Sequence, residues 1–157
     1  SYLPYKNGVK IQVIGKKNDM DKIESKIVHI NSNAKTIFEK LSNLENLRPI
    51  LANIPQDKIK AEDIHLTADT CSFNVENMGE VGVKIVEREE YKCIKFASDK
   101  SPVEFNIWIQ LVEKAPYDTK AKITFKADLP FMIKMFIKDK LANGLDQVAD
   151  LLTKIQY

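Results

Sequence analysis

Residues 103–127 read VEFNIWIQLVEKAPYDTKAKITFKA, and this stretch decides the fold. Val103, Phe105, Ile107, Ile109 and Leu111 alternate with Glu104, Asn106, Trp108 and Gln110. After the turn residues Pro116-Tyr117-Asp118 the alternation resumes, with Ala121, Ile123, Phe125 and Ala127 set against Lys120, Lys122, Thr124 and Lys126. A period of two is that of a β-strand, and an apolar set on one side alone makes a sheet with one buried and one wet face. So short a connection joins antiparallel neighbours.

Working back from this pair, strands are expected near residues 58–66, 70–77, 81–89 and 91–98, ahead of 103–113 and 118–127. The turns carry Asp69, Asn77 with Gly79, Glu89-Glu90 and Ser101-Pro102, mostly residue types that turns favour for steric reasons. Alternation assigns Phe73, Val75, Val81, Val83, Ile85, Ile94 and Phe96 to the buried face. Further upstream, the β-branched run from Ile23 to Ile30 reads as a first strand, and Asn31-Ser32-Asn33 offers N-caps for a helix to about Ser42. That helix has Ile37, Phe38 and Leu41 on one face. A second short helix follows with Leu44, Leu47, Leu51 and Ile54, where Pro49 is expected to break or kink it.

Downstream, a long helix is expected from Leu129 or Pro130 to Ile155, its stripe formed by Leu141, Leu145, Val148, Leu152 and Ile155. Gly144 inside it costs about 1 kcal/mol against alanine, which a close backbone approach to another element would explain. The fold class is therefore α+β: a seven-stranded curved antiparallel sheet wrapped on a long C-terminal helix, with two short helices after the first strand. The helix is the one element large enough to cover the apolar side of the sheet.

Composition narrows the function. The chain has 157 residues, 44% apolar and 29% charged, which suits one folded domain and excludes a disordered chain. Lys plus Arg number 24 against 22 Asp plus Glu, and the small excess sits in Lys6, Lys10, Lys16 and Lys17. The remainder is nearly neutral, with no basic stripe interleaved with aromatics, so nucleic acid is not an expected partner. No apolar run is long enough for a membrane span. Residues 1–19 differ in character from the rest. They form either an added hairpin turning at Asn7-Gly8 or a leader ahead of Met20, with the single domain occupying residues 20–157. They lack the apolar core of a secretory signal, and two cysteines fit a reducing compartment, so the expected location is cytoplasmic.

The run Glu24-Ser25-Lys26-Ile27-Val28-His29-Ile30-Asn31 leads into Ala34-Lys35-Thr36-Ile37-Phe38-Glu39-Lys40-Leu41-Ser42-Asn43-Leu44-Glu45-Asn46-Leu47. Gly79-Glu80-Val81-Gly82-Val83-Lys84-Ile85-Val86-Glu87 and the closing helix complete a pattern that resembles the START-like, or SRPBCC, superfamily over Asp21 to Tyr157. The superfamily includes lipid-transfer START domains, birch-pollen-allergen-like proteins and polyketide cyclase or dehydrase-like proteins. The resemblance implies a helix-grip fold whose sheet and terminal helix enclose a cavity for lipids, sterols, polyketides or other apolar molecules.

No GxSxG, HExxH, Walker or GxGxxG motif is present. His29 and His65 have no His or Cys at metal-ligand spacing, so neither a metal nor a cofactor is expected. Glu87, Glu89 and Glu90 fall in a turn, and Arg88 falls on the polar face, both as ordinary solvated charge. Trp108, on the wet face, either covers a neighbouring element or marks a contact. Cys71 and Cys93 lie on strands two apart, roughly 9.5 Å, which is too far for a disulfide.

Between Phe131 and Ile137 only Lys134 is polar. That segment is core packed on two sides, the mouth of a ligand cavity, or a dimer or membrane contact. The expected function is binding, and with it transport, of a small apolar ligand by Phe73, Val83, Phe96, Phe105, Ile107, Phe125, Met132, Met135 and Phe136. The alternatives are a polyketide cyclase or dehydrase-like enzyme, and a protein-interaction module of the chaperone-activator or ribosome-associated type. As partners, transient membrane contact and a monomer or homodimer are compatible with the sequence.

Overall fold

The strands are β1 (Lys22–Glu24), β2 (Val28–Ile30), β3 (Ile64–Leu66), β4 (Thr70–Val75), β5 (Gly79–Glu89), β6 (Cys93–Asp99), β7 (Phe105–Ala115) and β8 (Asp118–Ala127). They form one antiparallel sheet in the order β1-β8-β7-β6-β5-β4-β3, with β2 also paired to β8. Helices α1 (Ala34–Leu41) and α2 (Arg48–Leu51) follow β2, and the 22-residue α3 (Phe131–Leu152) closes the chain. This computed structural model describes residues 22–51, 63–75 and 79–157. The expected hairpin or leader at 1–19, Ile54, most of the strand expected at 58–66 and the turn at Asn77 lie outside the described residues.

The hairpin read from residues 103–127 is present from Phe105 on, with Ile107 paired to Phe125, Ile109 to Ile123 and Leu111 to Ala121, whereas Val103 lies ahead of β7 and is exposed, and Thr124 of the opposite face is buried. Ile109, Leu111, Ala121 and Ile123 are buried, and Ile94 on β6 joins them. Against this part of the sheet pack Ile37, Phe38 and Leu41 of α1 and Leu145, Ala149 and Leu152 of α3. Helix α1 starts where expected because the Asn33 side chain accepts the Thr36 N–H at 2.8 Å, while Glu113 of β7 accepts that of Ala34 at 2.8 Å.

The first strand differs from its sequence reading. It is split into β1 and β2, and the break has a reason at Ser25. This buried residue keeps its N–H on the Ile123 carbonyl at 2.8 Å, but the Ile123 N–H donates to the Ser25 Oγ at 2.9 Å rather than to a backbone carbonyl. The freed chain turns toward α3, where the Lys26 N–H donates to Asp146 at 2.7 Å and its ammonium pairs with Asp150 at 2.8 Å. Two carboxylates one turn apart thus hold the C-terminal half of α3 onto the sheet.

The helix changes character next to Pro49: a 3-10 turn at Leu44–Leu47 gives way at Arg48 to α2, and Pro49 sits in the first turn of α2, where proline is tolerated. The stripe of α3 is also shifted. Val148 is 44% exposed and Ala149 takes the buried place, because the seam follows Leu141, Leu145, Ala149 and Leu152. Gly144 has no neighbouring atom within 4 Å of an added Cβ, so close approach is not its reason. Close approach does occur at Gly82, where a Cβ would lie 2.7 Å from that of Ser72 and 2.8 Å from the Cys71 carbonyl oxygen.

Candidate functional site

The inner face of the sheet has two halves. One is sealed by α1 and the C-terminal half of α3, as described above. The other comprises Phe73, Val83, Phe105, Ile107 and Phe125, all only half-buried although all point to the same face. Phe105 and Phe125 stack with ring centroids 5.4 Å apart, and Ile107 pairs directly with Phe125 and Phe96. Phe96 is 6% exposed and belongs to the sealed half.

The geometry of α3 explains why this half is open. The helix leaves β8 through a three-residue connection and runs back along it, and its packing is chiefly against β1, β2 and β8. Between Phe131 and Lys140 no residue of α3 is buried. From Phe131 to Leu145 the helix rises roughly 21 Å, the length of about six strand residues. Its N-terminal half therefore stands above the Phe105 and Phe125 end of the sheet without closing on it. We take the half-buried apolar strip of the sheet beside this half of α3 as a candidate apolar groove.

The structure thus brings Phe73, Val83, Phe105, Ile107 and Phe125 to one surface. Met132, Met135 and Phe136 are placed differently, being 65%, 65% and 75% exposed. At 100° per residue, Met132 and Phe136 turn away from the seam defined by Leu145, Ala149 and Leu152, and Met135 lies on its flank. Sequence alternation could assign strand faces, but the rotation of a uniformly apolar helical segment has no internal reference.

Alternation also misassigned Arg88. A register shift between Ile85 and Glu87 adds one residue to β5, so Arg88 lies opposite the buried Ile94 on the inner face. Its guanidinium donates to the Ser42 carbonyl at 2.7 Å and pairs with Asp69, tying the end of α1 to the β3–β4 turn. Trp108 lies on the outer face as expected, half-buried, with the Lys95 ammonium 5.4 Å from its ring centre.

Two surface hollows are bounded by described residues alone. One of about 650 Å³ is lined by Lys84, Asn106, Trp108 and Lys126 of the outer face together with Ser98, Phe105 and Ala127 of the inner face. The other, about 1030 Å³, lies beside Tyr91, Cys93, Leu111 and Val112. The first meets the candidate groove at Phe105, and the second lies apart from it.

Among the described residues the titratable group next to these inward side chains is the Cys71 thiol, directly opposite Val83. His29 Nδ1 meets Asp118 at 2.8 Å on the exposed edge, and His65 is exposed on β3. Glu87, Glu89 and Glu90 are exposed. No cluster of His, Cys, Asp or Glu among the described residues could hold a metal ion. Cys71 and Cys93 are free thiols, and burial pushes both above the ordinary thiol value. They face Val83 and Glu89 on the strand between them, a separation of roughly 20 Å.

Similar folds are found among solved structures. A START superfamily protein from Mycobacterium smegmatis matches with a TM-score of 0.61 and 15% identity, over 85% of this chain and 94% of that one. The fold is START-like. A truncated norcoclaurine synthase from Thalictrum flavum has the same START-like architecture, with a TM-score of 0.64 and 14% identity over 85% and 91% of the two chains. A protein from Thermobifida fusca gives 0.61 and 11% over 85% and 90%. No protein-family profile matches the sequence, and no curated protein matches it. No helix among the described residues is long and apolar enough to cross a membrane.

Proposed function

We propose that this chain binds, and carries, a small hydrophobic or lipid-like molecule in the groove between the sheet and the N-terminal half of α3. The observation that carries this reading is the half-buried state of Phe73, Val83, Phe105, Ile107 and Phe125 on a face that is otherwise sealed. A ligand covering about 300 Å² of that surface would gain roughly 7 kcal/mol from apolar burial. The START-like fold commonly encloses apolar ligands, which agrees with this chemistry. The free thiols suit a reducing, cytoplasmic setting.

Support for a non-enzymatic role over a cyclase, dehydrase or synthase is the apolar character of the groove. The described inward side chains there include no carboxylate, imidazole or ammonium; burial pushes up the Cys71 thiol opposite Val83, and the Ser98 hydroxyl accepts the Phe105 N–H at 3.1 Å. Transfer of a proton needs a titratable group within hydrogen-bond reach of the reacting atom.

Native mass spectrometry of protein purified without detergent, followed by organic extraction, tests the proposal. The expected result is one apolar molecule per chain, lost in a folded Phe105→Asp variant. An empty protein that also takes up no fatty acid, quinone or sterol would overturn it and favour the interaction-module reading. That second reading has its own support in the exposed apolar residues at the start of α3.

A further inference from the structure

The first two turns of α3 present an apolar surface to solvent. Phe131 is 59% exposed, Met132 65%, Ile133 47%, Met135 65% and Phe136 75%. At 100° per residue, Phe131, Met135, Met132 and Phe136 occupy one continuous arc of about 140°. Lys140 borders that arc on the side turned away from the sheet, and the exposed Lys138 borders it at the angle of the Leu145–Ala149 seam, while Asp139 follows on the arc one turn later. The segment Phe131 to Lys140 holds three lysines to one aspartate. Large apolar side chains clustered in solvent mark a contact surface. A lysine-rimmed apolar helical arc is the pattern of a helix lying in a lipid–water interface.

We propose that this end of α3 docks on an anionic membrane surface, with Phe131, Met132, Met135 and Phe136 entering the headgroup–acyl boundary and Lys138 and Lys140 meeting the headgroups. Charge selects this occupant over a second copy of the chain. Two such arcs placed face to face would bring four border lysines together, whereas an anionic bilayer supplies the opposite charge to each. Asp139 limits entry to the first two turns, since a carboxylate is repelled by that same surface. The arc also adjoins the open apolar groove, so docking would set the groove's mouth against the lipid. The docking itself does not require the groove to hold a ligand.

Flotation of the full chain with phosphatidylcholine vesicles, with and without phosphatidylserine, tests this. The wild type is expected to float with the phosphatidylserine vesicles and to be released by raised salt. Met132→Ser with Phe136→Ser should weaken binding by at least tenfold, given about one large apolar side chain's burial lost at each site. Lys138→Gln with Lys140→Gln should weaken it by about fivefold for each charge removed. All four positions are exposed, so the variants should keep the wild-type circular dichroism spectrum and melting temperature. Equal flotation with both vesicle types, no flotation, or flotation unchanged by the serine pair would overturn the proposal. So would a concentration-dependent dimer in sedimentation velocity that the serine pair dissolves, since that would assign the arc to a second copy.

Discussion

Alanine at Gly144 should stabilise this protein, and alanine at Gly82 should do the opposite. Gly144 lies in the interior of a 22-residue helix, and nothing stands within 4 Å of the Cβ that alanine would add. The substitution therefore removes the glycine penalty of about 1 kcal/mol without a steric cost. For a chain of this length the unfolding entropy is roughly 0.33 kcal/mol per degree, so the melting temperature should rise by about 3 °C. At Gly82 the new Cβ would press on the Ser72 Cβ and the Cys71 carbonyl at 2.7 and 2.8 Å, both in the paired strand β4. Overpacking of this kind costs about 1–3 kcal/mol. Urea denaturation of the two variants with unchanged m-values, checked by calorimetry, reads both signs. A neutral or destabilised Gly144→Ala would mean that some group does approach this part of α3, and the packing described for the helix would be wrong.

Three further outcomes follow from single contacts. Ser25→Ala should cost about 1–3 kcal/mol in urea unfolding, because it leaves the Ile123 N–H without its acceptor in a buried strand; Ser25→Thr, which keeps the oxygen, should recover part of the loss. Arg88→Met should cost about 1 kcal/mol, the modest value suited to a guanidinium that is 37% exposed; a fully neutral result would show that the link between α1 and the β3–β4 turn contributes nothing. Stability should also fall as pH rises above the ordinary thiol value of 9.0. Burial raises Cys71, Cys93 and Tyr157, so the unfolded chain releases protons before the folded one does, and ionisation favours unfolding through that window. Cys71→Ser should narrow the alkaline loss, as followed by chemical unfolding across the pH range.

Strand alternation and helical period made most of this architecture legible in the sequence. Phe105, Ile107, Ile109 and Leu111 share a face because the pleat leaves them no choice, and the same rule placed Phe73, Val83 and Phe125 beside them. The cap at Asn33, the order of six strands and the long closing helix were readable for similar local reasons. Tertiary structure decided where those local rules are interrupted. The break at Ser25 depends on a hydroxyl replacing a carbonyl opposite Ile123, and the inward turn of Arg88 depends on one extra residue in β5 measured against β6. The start of α3 is the clearest case. Phe131 to Ile137 is apolar nearly all round, so no periodicity could say which side meets the sheet. That was fixed by anchors elsewhere, Leu145, Ala149 and Leu152 in the seam and Asp146 and Asp150 on Lys26, which set the rotation of a rigid rod. Among the described residues the buried positions of this rod all lie in its C-terminal half, while Met132 and Phe136 are exposed and Phe105 and Phe125 on the sheet are half-buried.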